Sequence, residues 1–314
     1  MNQALERLTT GYKINNAKDN AAGYSIAEMW ETQLGSLDVA ADNAATGIDL
    51  LTTAEETYSL LTDHLQRVRD LTEQAANGTY GSASLKAIQA EISARLNEIN
   101  RISANGEFNG IKLMAYNMDG TGNEDVGITD AGINLQVGLY ADANSVITLD
   151  VGLFANASLS GLFSEMEGTS STGLALSDLI TNAGGDINAL GDEANIEAFA
   201  AACSGLVYNP DDGTFTMQTD GESGAKEMLG FIDSAIDEIS SRVTAIGAVQ
   251  NRVESAISSL DVQSQNLTSS LSTLQDADVA EEASNYVSAQ ILQQASATLL
   301  STDNQLPSIA LNLV

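Results

Sequence analysis

The stretch LDVAADNAATGIDLLTTAEETYSLLTDHLQRVRDLTEQA, residues 37–75, decides the fold of this chain. Its apolar residues recur at steps of three or four, which places them along one side of an α-helix. No proline interrupts the stretch, so the helix is expected to extend over roughly 60 Å. Asn77-Gly78 is a typical helix stop after it. The predicted buried stripe is Leu37, Ala41, Ala44, Ile48, Leu51, Ala54, Tyr58, Leu61, Leu65, Val68, Leu71 and Ala75.

The same period returns in three further parts of the chain. A second helix is predicted to be capped by Ser82 or Ser84 and to end near Asn105-Gly106. In the last third, apolar residues keep the helical rhythm over residues 229–274, and another apolar run covers residues 287–299. Long helices of this kind bury their stripes against one another, so we expect one antiparallel, coiled-coil-like bundle built from both chain termini.

The middle of the chain has a different composition. Residues 115–222 are rich in Gly, Asp, Asn and Ser, and short alternating segments replace the helical stripe. Residues 133–137 and 146–151 are predicted strands, and so are residues 206–208 and 214–217, which flank the turn Asn-Pro-Asp-Asp-Gly. The fold class is therefore mainly α, with a β-hairpin region and a small variable α+β insert.

Composition excludes several classes of function. The 314 residues include 43 acidic and 12 basic ones, and the net charge of −31 repels nucleic acid and anionic membrane surfaces. Cys203 and His64 are the single cysteine and the single histidine, so a disulfide, a multi-cysteine zinc site and an HExxH motif are excluded. No apolar run approaches 18 residues, so membrane insertion is not expected. This inventory argues against an enzyme.

Two clusters of acidic residues are candidates for calcium binding. Neither follows the spacing of a calcium-binding loop, and Asp-Gly is common in turns. We therefore expect no metal and no cofactor. The clusters are Asp119, Asn123, Glu124 and Asp125, and separately Asp211 and Asp212.

Both ends of the chain resemble bacterial flagellins. The similar segments are LERLTTGYKINNAKDNAAGYSIAE (residues 5–28), LQRVRDLTEQAANGT (65–79), IQAEISARLNEINRIS (88–103), EFNGIKLM (107–114), IGAVQNRVESAI (246–257), LQDADVAEEASNYVSAQILQQAS (274–296) and NQLPSIALNLV (304–314). They follow one another in the order of that family, and the resembling regions at the two chain ends together span about 200 residues. The middle does not match, as the resemblance implies, because flagellins vary there.

The resemblance implies a domain plan. Residues 1–23 correspond to a remnant of the N-terminal inner-layer segment and its linker, and residues 24–114 to the N-terminal half of the conserved helical domain. Residues 115–155 form its β-hairpin region, and residues 156–222 the variable, surface-exposed insert. Residues 223–275 form the C-terminal helix of the conserved domain, and residues 276–314 the C-terminal inner-layer helix. The further helical stretch that flagellins carry before LERL is absent, which suggests a fragment, a misplaced start or a truncated paralogue.

Three residues resemble a receptor-contact motif of the family. Arg67, Leu71 and Glu91 stand where flagellins recognised by the vertebrate Toll-like receptor 5 carry Arg, Leu and Glu. Arg67 and Leu71 are four residues apart on one helix, and Glu91 is expected to project from the next helix. A cation, an apolar knob and an anion on one convex surface suit a polar-rimmed hot spot. The alternative is that these residues serve subunit packing in a filament.

Other residues are candidates for filament packing. Lys18 and Asp19 lie in the segment that links the inner and outer layers of the family, where a solvated charge pair is the simpler alternative. Arg95, Glu98 and Arg101 are spaced for ion pairs within or between subunits, or for a solvated helix face. The apolar positions near the C-terminus are expected to be under-covered, and they are Val287, Ile291, Leu299, Leu306 and Leu311.

The function that the resemblance implies is mechanical. The chain is expected to polymerise with itself into the extracellular flagellar filament for swimming motility, after secretion by the flagellar export apparatus with its chaperone. Hook-associated and cap proteins are further expected partners, and Toll-like receptor 5 is an expected receptor. The alternatives are a hook–filament junction protein, or a truncated, non-polymerising paralogue that acts as an interaction protein. A protease in the insert is excluded because residues 156–222 contain no histidine.

Overall fold

The computed structural model describes residues 1–117, 127–163, 180, 193–209, 214–217 and 222–311. The chain forms two compact units. Unit 1 comprises Met1–Asp42, Gly138–Ala141 and Ser258–Val314, and unit 2 comprises Asn43–Val137 and Asp142–Ile257. The domain boundaries expected from the sequence stay a prediction.

Seven α-helices dominate the described residues. They are α1 (Asn2–Thr10), α2 (Ala21–Ala75), α3 (Ser82–Asn105), α4 (Leu159–Phe163), α5 (Glu193–Cys203), α6 (Glu222–Gln275) and α7 (Val279–Leu311). The strands are β1 (Glu107–Phe108), β2 (Ile111–Lys112), β3 (Ile133–Gln136), β4 (Val146–Leu149), β5 (Leu206–Asn209) and β6 (Thr214–Met217). The prediction of a mainly α protein with long helices from both ends is confirmed.

Helix α2 contains the predicted helix and extends it toward the N-terminus. It begins at Ala21, where the side-chain oxygen of Asn20 accepts a hydrogen bond of 3.0 Å from the backbone N–H of Gly23. In residues 21–36 only Gly23 and Ala27 are buried. This part therefore carries no continuous apolar stripe from which the helix could be predicted. The helix ends at Ala75, just before the predicted stop at Asn77-Gly78.

Helix α3 has the predicted length but not the predicted cap. Ser82 is its first helical residue, and the capping position belongs to Gly81, which has extended backbone and no side chain to donate or accept. The backbone carbonyl of Gly81 instead accepts from the N–H groups of Ser84 and Leu85, at 2.9 and 3.1 Å. The predicted serine cap was therefore wrong.

In unit 2, α2 is antiparallel to α3 and to α6. Arg69 of α2 lies 2.5 Å from Asp233 of α6, and farther toward the N-terminus of α2 the side chain of Gln250 donates to Glu55 at 3.0 Å. From the first of these contacts to the second, the residue number falls along α2 from 69 to 55 and rises along α6 from 233 to 250, so the two helices run in opposite directions. The stripe residues of α2 in unit 2 from Leu51 to Leu71 are at most 2% exposed, as predicted.

The remaining elements of unit 2 enlarge this core. Helix α5 packs on α3, and the rings of Phe163 in α4 and Phe199 in α5 meet edge to face with centroids 4.8 Å apart. The fully buried stripe of α3 includes Ile92, Leu96 and Ile99.

Three antiparallel hairpins pair β1 with β2, β3 with β4, and β5 with β6. The last two confirm the sequence prediction, with Ile133 opposite Leu149 and Leu206 opposite Met217. The first was not predicted, although Asn109 and Gly110 form its turn with φ angles of 49° and 80°. Asn-Gly is the usual dipeptide for such a turn, so the signal was present in the sequence.

Unit 1 joins both ends of the chain. Helix α1 packs on α7, and the side chains of Arg7 and Glu282 form an ion pair at 2.8 Å. The segment after α1 is bound to the segment between α6 and α7. The N–H of Lys13 donates to the carbonyl of Gln275 at 2.7 Å, and the N–H of Ala277 donates to the carbonyl of Gly11 at 2.8 Å.

Candidate assembly and receptor-contact surfaces

Helix α7 carries the large apolar side chains with the highest exposed fractions among the described residues. Val287, Ile291 and Leu299 are 51%, 59% and 70% exposed, so the expected lack of cover is observed. Leu292 and Leu300 are exposed as well, and every residue from Ile291 to Ser301 is exposed. Leu306 and Leu311 belong to the helix but lie outside the residues whose side chains the structure describes.

The beginning of α7 is anchored, unlike the stretch that follows. Asp278 caps its N-terminus by accepting from the N–H groups of Ala280 and Glu281, at 2.8 and 3.3 Å. Glu282, which binds Arg7 of α1, is buried. This contact was missed by the sequence analysis, and neither residue lies on an apolar stripe that would have pointed to it.

Lys18 and Asp19 do not form a matched pair of exposed charges. One carboxylate oxygen of Asp19 accepts from the backbone N–H groups of Asn15 and Asn16, at 3.3 and 3.2 Å. Asp19 therefore shapes the turn that precedes α2, whereas Lys18 is exposed. A contact of these residues with a neighbouring subunit stays a prediction.

Of the three filament-packing candidates on α3, two bind each other. The Nε group of Arg101 donates to Glu98 at 2.8 Å, and this hydrogen bond lowers the pKa of the Glu98 carboxyl group. Arg95 is half-buried beside them, and among the described residues it forms no ion pair. The intrahelical alternative is thus present in the free chain, and a contact between subunits stays a prediction.

The proposed receptor motif is divided between surface and core. Arg67 of α2 donates to the carboxylate of Glu91 on α3, at 2.9 Å from Nε and 2.7 Å from a terminal nitrogen. Their side chains are 47% and 38% exposed. Leu71, in contrast, is 2% exposed and belongs to the core of unit 2. The expected apolar knob on the surface is therefore wrong, because position 71 lies on the buried stripe that continues Leu65 and Val68.

The cysteine and histidine do not form a reactive centre. Burial raises the pKa of the Cys203 thiol to about 12, which keeps it protonated at neutral pH. His64 is half-buried on α2. Within the described part of the chain no group of three or more His, Cys, Asp or Glu side chains could hold a metal ion. The two acidic clusters considered for calcium, residues 119–125 and 211–212, lie outside the described residues.

Among the helices that the structure describes, none is long and apolar enough to cross a membrane. Long helices from both termini and an uncharged, exposed helical segment are features of proteins that associate through helical surfaces.

Comparison with known proteins specifies the family. The profile of the bacterial flagellin N-terminal helical region matches residues 1–119, and that of the C-terminal helical region matches residues 229–314. Flagellin B of Vibrio anguillarum is 33% identical over 354 residues, covering 99% of this chain and 93% of the relative. The flagellin of Bacillus subtilis is 35% identical over 312 residues, covering 99% of this chain and 91% of the relative. The chain belongs to the bacterial flagellins, the structural subunits of the extracellular flagellar filament.

A solved structure agrees with the fold. The structure of a putative flagellar hook-associated protein from Vibrio parahaemolyticus matches with a TM-score of 0.55 and 12% identity, covering 82% of this chain and 100% of that one. At this identity the similarity concerns the fold alone. Because flagellins are structural proteins, the prediction that this chain is not an enzyme is confirmed.

Proposed function

We propose that this flagellin polymerises through the exposed apolar face of α7, which we define as Val287, Ile291 and Leu299. The observation that carries the proposal is their exposure of 51–70% on a helix that has no charged residue between Ala283 and Thr302. Burying one such side chain fully stabilises an interface by about 1.5–3 kcal/mol. A neutral segment also lets copies of an acidic chain approach each other with little repulsion.

The test is polymerisation of the double variant Ile291→Asn, Leu299→Asn. We expect its critical concentration to rise at least about tenfold, since two apolar contacts would be lost. The matched control is Gln293→Asn, a polar exchange at an exposed position of the same helix. Sedimentation and negative-stain electron microscopy measure the outcome, and circular dichroism checks the fold. Equal critical concentrations for the double variant and the control would overturn the proposal.

We further propose that the surface around Arg67 and Glu91 binds Toll-like receptor 5. Both side chains are substantially exposed and project from neighbouring helices as a fixed ion pair. Arginine is one of the residues enriched in interaction hot spots. Leu71 lies in the core beneath this surface, so we do not expect it to contact a receptor while the helices remain packed.

Receptor activation in a reporter cell line tests this assignment. We expect Arg67→Ala to reduce potency by at least about tenfold while the fold persists, because a hot-spot residue is removed. Leu71→Ala should instead lower the free energy of unfolding by about 2–5 kcal/mol, as buried leucines do. Arg252→Ala, an exposed arginine on α6, is the matched control. Unchanged potency of the Arg67 variant would refute the receptor surface.

The remaining partners follow from membership of the family. We propose secretion by the flagellar export apparatus with a chaperone, and contacts with hook-associated and cap proteins at the ends of the filament. The polymerisation assay also separates the alternatives. Long filaments support the filament subunit, and the absence of any polymer would support a hook–filament junction protein or a non-polymerising interaction protein.

A further inference from the structure

Helix α3 stands out electrostatically from the rest of the molecule. It carries Lys86, Arg95 and Arg101 against Glu91 and Glu98, a net charge of +1 in a chain of −31. In α2, α5, α6 and α7 the acidic residues outnumber the basic ones, and in α1 and α4 the charges balance. Of the helices that the structure describes, α3 is therefore the one with a net positive charge.

The outward face of α3 carries two small side chains between two cations. Lys86 and Arg101 are exposed and lie about 22 Å apart along the helix, at 1.5 Å per residue. Ala90 and Ala94 are exposed between them, and such small side chains let another helix approach closely. Glu98 lies at the rim of this face and binds Arg101. We name the set Lys86, Ala90, Ala94 and Arg101 the alanine face of α3.

Helix α2 carries a surface that complements it. Glu56, Asp63 and Asp70 are exposed and follow one another every seven residues, which places them on one side of the helix, opposite the core. The ends of this set lie about 21 Å apart, close to the separation of Lys86 and Arg101. Leu60 lies among them and is 53% exposed, and Arg67, the cation in the same row, is bound to Glu91. We name Glu56, Leu60, Asp63 and Asp70 the acidic face of α2.

We propose that the acidic face of α2 in one copy docks on the alanine face of α3 in a second copy of this chain. This inference rests on the proposed filament function and names one of its contacts. The carboxylates would meet Lys86 and Arg101, while Leu60 covers Ala90 and Ala94. The two faces differ, so the contact is heterologous, and repetition of a heterologous contact produces an open polymer. The contact is separate from the apolar face of α7.

Charge reversal tests the contact. Lys86→Glu with Arg101→Glu reverses one face, and Glu56→Lys with Asp70→Lys reverses the other. Each pair is expected to raise the critical concentration of polymerisation at least about tenfold, because like charges would then face each other. The variant that carries all four changes should return to within about threefold of the original chain, since attraction is restored with opposite signs. The matched control is Lys226→Glu with Arg252→Glu on α6, which removes the same positive charge elsewhere.

A cross-link distinguishes failure of the contact from failure of the filament function. Chains carrying Leu60→Cys are mixed with chains carrying Ala90→Cys under oxidising conditions, with the natural Cys203 fully buried. Disulfide-linked dimers of the two variants support the contact even in a sample without filaments. If the original chain polymerises but the reversed variants match the control and no dimers form, the contact is refuted while the filament function stands. Failure of the original chain to polymerise refutes the filament function.

Discussion

Tyr58 shows how one side chain of the stripe joins α2 to the loop after β4. Its hydroxyl donates to the carbonyl of Leu153 at 2.9 Å, and Arg242 of α6 donates to the carbonyl of Ala155 at 3.0 Å. Burial raises the pKa of the Tyr58 phenol, an effect that the nearby Arg242 opposes. The helical period predicts that Tyr58 is buried. It does not predict the carbonyl groups that its hydroxyl binds, since these come from about a hundred residues away.

The variant Tyr58→Phe measures this junction. We expect the free energy of unfolding to fall by about 1–3 kcal/mol, because a buried carbonyl loses its donor while the ring still fills the core. Urea unfolding followed by circular dichroism gives the value. Tyr140→Phe, at an exposed tyrosine, is the control and should change stability by less than about 0.5 kcal/mol. A loss no larger than that of the control would contradict the role assigned to the hydroxyl.

At the scale of elements, the two internal glycines of α2 have different surroundings. A Cβ atom at Gly35 would meet nothing within 4 Å, whereas at Gly47 it would collide with a methyl carbon of Leu135 on β3. Gly47 thus lets the β3–β4 hairpin approach the helix. The sequence predicts the helix and the hairpin separately, but their contact depends on which face of α2 the hairpin covers.

Alanine substitutions separate these two roles. Gly35→Ala should stabilise the protein by up to about 1 kcal/mol, because alanine favours a helix. Gly47→Ala gains the same propensity but must displace Leu135, and overpacking of this kind costs about 1–3 kcal/mol. Thermal or urea unfolding of both variants provides the comparison. Equal stabilisation by the two substitutions would show that the β3–β4 hairpin can shift to accommodate the new Cβ atom without a loss in the free energy of unfolding.

At the scale of the whole molecule, charge governs association. Each subunit carries −31, so neighbouring copies in a filament repel each other wherever their acidic surfaces face. The uncharged stretch of α7 and the alanine face of α3 are the exceptions among the surfaces of the described helices. The overall composition does not reveal these two surfaces, but the order of the residues does, since each lies within one continuous helical stretch.

Polymerisation should therefore depend strongly on salt. Raising the ionic strength from about 0.01 M to about 0.15 M shortens the screening length from about 30 Å to about 8 Å. We expect the critical concentration to fall over this range, because screening of the repulsion between subunits of net charge −31 outweighs the weakening of the few charge pairs between α2 and α3. Sedimentation at several salt concentrations measures it, and urea unfolding under the same conditions controls for changes in the fold. A critical concentration that does not change with salt would rule out this account.

The sequence by itself determined the class of this protein. The three-to-four period predicts which side of α2, α3 and α6 is buried, and local turn residues mark the hairpins, because both signals lie within a few residues of one another. The buried position of Leu71 also follows from that period, yet the resemblance to a receptor motif obscured it. The ion pairs of Arg67 with Glu91 and of Arg7 with Glu282 are visible in the tertiary structure alone. These contacts join residues that are distant in the chain, and their geometry depends on how the helices pack.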